Sequence, residues 1–116
     1  MDGVGRRGDD GLARPNEPAV LILTSLASGP KHGYALSKYV ESFAGVALGP
    51  GTLYGAITRL EERGLIEPAP GDEARRRPYR ITAAGRRALA AAVRDMHALA
   101  GVGAARLGMA LPATGA

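Results

Sequence analysis

The sequence predicts a mainly α fold with a small β-hairpin. Apolar residues recur at spacings of three and four in four separate segments, the period shortens to two in one stretch between the third and fourth, and Gly or Pro marks the changes of period. At 116 residues there is room for one domain with one small core. Hydrophobic residues at 46% and charged residues at 22% are the balance of a folded chain rather than a disordered one.

Residues 1–15 carry Gly3, Gly5, Gly8 and Gly11, with Arg6, Arg7 and Arg14 offset by Asp2, Asp9 and Asp10 and no apolar period. They read as a flexible N-terminal tail, and their zero net charge argues against a basic arm laid in a minor groove. Pro18 then opens a first helix over residues 19–27, built on Val20, Leu21, Leu23 and Leu26 and stopped by Ser28-Gly29-Pro30. A second helix over 34–43 has Leu36, Tyr39, Val40 and Phe43 on one face, and Gly45 ends it. Pro50 starts the third, with Leu53, Ile57 and Leu60 inward and Gly64 as its cap. Its outward face carries Gly55, Thr58, Arg59 and Glu62, with Thr52 and Tyr54 on the flanks.

After Gly64 the period-two pattern gives strands over 65–67 and 79–82, joined by a long polar loop that holds Arg75, Arg76 and Arg77. Thr82 is suited to cap a final helix whose seam Leu89, Val93, Met96 and Ala100 steps alternately by four and three. Such a seam has too few neighbours in a small domain, which predicts that it pairs with a second copy. Gly101, Gly103 and Gly108 weaken the far end, so fraying is expected beyond Leu107, with 111–116 as tail.

Helix, helix-turn-helix and hairpin in that order make a winged helix-turn-helix over residues 16–82, followed by a dimerisation helix over 83–110. In that architecture the third helix enters the DNA major groove and the wing lies along the backbone. The net charge of +4 alone is a weak sign of an acidic partner, because 13 of the 15 cations are Arg in a composition rich in Ala, Gly and Pro. Position is more telling: Arg75, Arg76, Arg77, Arg80, Arg86 and Arg87 fall within 13 residues that contain no acid, which is where phosphates would be held. The bland reading is a solvated hairpin, but a hairpin tip has little structural need for three adjacent cations.

His32-Gly33-Tyr34-Ala35-Leu36, Pro50-Gly51-Thr52-Leu53-Tyr54, Arg59-Leu60-Glu61 with Gly64-Leu65-Ile66, and Arg76-Arg77-Pro78-Tyr79-Arg80-Ile81-Thr82 running to Gly85 together resemble the PadR family of bacterial transcriptional regulators. The likeness covers about residues 18 to 90 in order. It implies a homodimeric winged-helix repressor of double-stranded DNA, its C-terminal helix pairing the protomers, and often a small-molecule effector. No effector identity follows from these residues. Many relatives have Ser where Gly49 stands, and often Arg or Lys where Gly55 and Thr58 lie. Sequence reading here therefore rests on Thr52, Tyr54, Thr58 and Arg59, with the wing supplying affinity.

Several residues have simpler readings beside these. Tyr54 is either a phosphate contact or a packing ring, and the hydroxyl of Thr52 can bond locally. Tyr34 reads as packed at its turn, Tyr79 as a wing anchor, and His32 and His97 as structural or solvent-facing. Catalysis is not expected: Gly49-Pro50-Gly51-Thr52 lacks the Lys and the strand of a phosphate loop, and no histidines stand at metal-ligand spacing. No cofactor or metal is expected. With no Cys, no spanning segment and no secretory signal at the start, a cytoplasmic location off the membrane is the expectation. The alternative function is a winged-helix module that binds protein and does not read DNA.

Overall fold

The computed structural model describes residues 17–70 and 77–110. In chain order these form α1 (Pro18–Leu26), β1 (Lys31–His32), α2 (Gly33–Ala44), α3 (Pro50–Glu62), β2 (Ile66–Pro68), β3 (Pro78–Ile81) and α4 (Ala83–Leu107). The expected tails at 1–15 and 111–116 and the wing residues Arg75 and Arg76 lie outside the described residues.

α1 is apolar nearly all round and is accordingly buried: Ile22 and Leu23 have no exposed surface, and Val20, Leu21 and Leu26 almost none. Ser25 sits among them because its hydroxyl is satisfied by the Leu21 carbonyl at 3.0 Å. The carbonyls at the end of α1 draw in cations, as the negative end of a helix does. Lys31 Nζ donates to Ser25 O at 2.8 Å and to Gly29 O at 3.2 Å, and Arg86 Nη2 donates to Ala27 O at 3.3 Å.

α2 and α3 close on α1 through Leu36 and Val40 from one side and Leu53, Ala56, Ile57 and Leu60 from the other. Fully burying a side chain of this size contributes about 1.5–3 kcal/mol, so this group is the main source of cohesion. The buried face of α2 is narrower than its apolar spacing predicts. Tyr39 and Phe43 remain 40% and 46% exposed, because no further element among the described residues covers them; their rings meet edge-on at 5.6 Å, and Lys31 Nζ lies 4.4 Å from the Tyr39 ring. α3 ends at Gly64, whose φ of +74° only glycine adopts without strain, with Gly64 N–H on Glu61 O and Leu65 N–H on Leu60 O. That turn delivers Leu65 and Ile66 into the core.

The sheet has three strands in the order β1-β3-β2, all antiparallel. The expected hairpin is present, with Ile66 opposite Ile81, Glu67 opposite Arg80 and Pro68 opposite Tyr79. The addition is β1, where Lys31 pairs with Tyr79 and His32 with Pro78. Two polar residues give no period-two signal, so this strand leaves no trace in the apolar pattern.

α4 is fastened at its start. Thr82 Oγ1 accepts from Gly85 N–H at 3.0 Å and donates to Gly64 O at 2.7 Å, tying the helix to the end of α3. Gly85 presses so closely on the Leu65 carbonyl that a Cβ there would overlap it. Ala84, Ala88 and Leu89 pack on the core and Ala92 is buried. Beyond them the helix runs on unbroken through Gly101 and Gly103. At Gly108 it closes with a two-bond turn, Gly108 N–H to Ala105 O and Met109 N–H to Ala104 O, so the expected onset of fraying coincides with a formed cap.

Candidate nucleic-acid interface

The exposed face of α3 is built by burying the other one. With Leu53, Ala56, Ile57 and Leu60 fixed inward, the rotation of 100° per residue turns Thr52, Tyr54, Thr58 and Arg59 to solvent, and all four are exposed. The side chains named from the sequence as DNA readers thus share one accessible surface. Three of them have local contacts that shape what they offer. Thr58 Oγ1 donates to the Tyr54 carbonyl at 2.9 Å, committing its hydroxyl proton to the helix. Arg59 lies back along the helix, its Nη1 3.5 Å from where a Cβ of Gly55 would stand. Tyr54, half exposed, rests its ring on the bare Cα of Gly33, so it is both a surface residue and the packing contact that fixes α3 against the start of α2.

Gly55 has no evident structural purpose. A Cβ there would make only that ordinary contact with Arg59, whereas Gly in a helix interior costs about 0.8–1 kcal/mol relative to Ala. Gly33 and Gly85 differ in kind, since a Cβ at either would meet atoms already in place.

The wing arginines do not act as one group. Arg80 is taken up by Glu67, directly opposite in the hairpin, with Nε donating to Oε2 at 2.8 Å, and Arg86 is held by the end of α1. The partners, Glu67 and the Ala27 carbonyl, both lie outside the Arg75–Arg87 stretch, so these pairings are invisible from spacing alone. Arg77 is exposed, and the register places it one residue beyond the His32–Pro78 pair, beside the first turn of α2. β1 therefore brings the root of the wing to the same end of α2 that Tyr54 touches.

That end of α2 gathers residues to which the sequence reading gave structural or solvent-facing roles, together with Lys31 and Lys38, which it did not single out as a group. Tyr34, expected to pack at its turn, is 67% exposed, with Lys38 Nζ 5.9 Å from its ring. His32 is the N-cap of α2, its Nδ1 accepting from Ala35 N–H at 3.4 Å, which leaves Nε2 as the ring's donor. Lys31, His32, Tyr34, Lys38, Tyr39 and Ser42 line an open groove of about 570 Å³ along this face. Both lysines of the chain border it, a clustering that could have been noticed in the sequence.

On α4, Leu89 is taken up by the domain's own core, Met96 is part-buried, and Val93 and Ala100 are exposed. The steps of four and three continue to Gly103 and Leu107, and Leu99 and Val102 are also exposed. Among the described residues no helix is long and apolar enough to cross a membrane, and no three His, Cys, Asp or Glu are grouped to hold a metal ion.

Residues 22–91 match the transcriptional regulator PadR-like family. The chain is 43% identical over 88 residues to an uncharacterized 37.1 kDa protein in transposon TN4556 of Streptomyces fradiae; the match takes in 76% of this chain but only 25% of that protein, so the chain spans about a quarter of the relative's length. Among solved structures, a transcriptional regulator from Clostridium thermocellum is 28% identical with a TM-score of 0.66, covering 88% of this chain and 92% of that one. The fold is also that of a PadR family transcription regulator from Clostridium difficile, at 24% identity and a TM-score of 0.69 over 78% of this chain and 97% of that one.

Proposed function

The chain belongs to the PadR-like family of transcriptional regulators, a family of regulators rather than enzymes, and from that premise we propose that it is a repressor that binds a palindromic DNA operator as a homodimer. α3 enters the major groove, where Thr52, Tyr54, Thr58 and Arg59 meet base edges and nearby phosphates. Arg75, Arg76 and Arg77 of the wing hold the backbone. Residues 16–82 form the reading unit and 83–110 the pairing helix, where Val93, Met96 and Ala100 face the second copy while Leu89, expected there too, packs on the protomer's own core. The observation that carries the reading is the exposed outer face of α3, with the described wing cation Arg77 brought to the neighbouring end of α2 by the β1–β3 pairing. A small-molecule effector, if the regulator takes one, acts by favouring one dimer geometry over another.

The alternative, a protein-binding module of the same fold, draws support from the scarcity of long polar side chains at the centre of α3. A salt titration separates the two. Phosphate contacts release counterions, so log K for a duplex falls with log[salt] by about 0.9 per phosphate neutralised. A steep linear fall supports the DNA reading, and duplex binding that is absent or indifferent to salt supports the alternative.

A further inference from the structure

Resting on the DNA-binding reading, we propose that Gly55 is a specificity-determining residue. Its bare Cα seats α3 close enough to a base-pair edge for the methyl group of Thr58 to pack on the 5-methyl of a thymine. Two observations meet here. Gly55 stands in the middle of a helix, where glycine is unfavourable, and nothing among the described residues requires it: there an added Cβ meets only the movable tip of Arg59. One turn on and on the same face, Thr58 has its hydroxyl proton turned back onto the Tyr54 carbonyl, so its methyl is the group left to serve a partner. A methyl on so short a side chain reaches a base edge only if the helix axis comes close, and the missing side chain at Gly55 permits that approach. Apolar contact from threonine is a recognised way of telling thymine from cytosine in the major groove. The shortness of the side chains at positions 55 and 58 then belongs to a close-fitting mode of reading rather than to a lack of reading.

The full-length chain and its Gly55→Ala variant are compared on a duplex enriched by the wild type from a random pool, and in thermal melting. The expected result is a variant that melts no lower than wild type but binds the enriched duplex about tenfold more weakly, while affinity for random duplex stays within about twofold. Replacing thymines one at a time by deoxyuridine, which removes only the methyl, weakens wild-type binding several-fold at one position per half-site. That same replacement leaves Thr58→Ser unaffected, because its own methyl is gone. Unchanged binding by Gly55→Ala, a melting temperature that falls with binding, or tolerance of deoxyuridine at every thymine overturns the inference and leaves the DNA reading standing. A wild type that enriches no sequence overturns both.

Discussion

Gly85 is where one added methyl group does most harm. Its neighbours are the Leu65 carbonyl and the Ile81 side chain, and the carbonyl belongs to a backbone already fixed by Thr82 N–H at 3.1 Å. Gly85→Ala is expected to cost about 1–3 kcal/mol by overpacking, read as a lower urea midpoint at unchanged slope. Gly33→Ala is expected to cost less, because the obstacle is the tip of the Tyr54 ring, which has room to swing towards solvent. Charge divides at the same scale. Arg77→Ala is expected to weaken binding to all duplexes alike and reduce the salt slope by about one, whereas Arg59→Ala also alters which sequences are enriched. Both are checked by anisotropy titrations at several salt concentrations. The sequence made the arginines countable but not their employment: Arg80 and Arg86 are engaged by Glu67 and by the Ala27 carbonyl, the latter 59 positions away. No periodicity reports such pairings.

The elements themselves were legible wherever an apolar face repeats. The first three helices, and the start of the fourth, stand within about a residue of where the sequence places them, while the fourth ends at Leu107 rather than at 110; the agreement follows because the forces that bury Leu36, Leu53 and Leu60 are those the spacing expresses. β1 was not legible. It is held by pairing with β3, a tertiary event that two polar residues do not announce. The narrow buried face of α2 was missed for a related reason, since the spacing marks Tyr39 and Phe43 as apolar without saying whether anything lies opposite. The joint between α3, the hairpin and α4 depends on one hydroxyl. Thr82→Ala loses both the cap on Gly85 N–H and the bond to Gly64 O, and is expected to cost about 1–2 kcal/mol, while Thr82→Ser, keeping the oxygen, loses much less. Chemical denaturation of the two variants gives the comparison.

At the scale of the whole molecule, the described residues extend 51 × 34 × 26 Å. From Val93 onward α4 carries exposed apolar groups, with Val93 49% and Leu107 75% accessible. Pairing two copies along this stripe, as in the homodimer proposed above, would cover it. Val93→Glu, at an exposed position that costs the monomer little, is expected to shift the protein from dimer to monomer in sedimentation at micromolar concentration. The same change should weaken operator binding far more than binding to a single half-site. The sequence showed the stripe but not how much of it the domain consumes for itself, which is Leu89 and the turns before Ala92.

The most direct test of the central claim is selection of bound duplexes from a random pool by the full-length protein, followed by footprinting of the winners. Two inverted half-sites whose centres lie about 10 base pairs apart, or 34 Å along one face of the duplex, are the predicted result. Enriched sequences without two-fold symmetry, or no enrichment over the starting pool, contradict it.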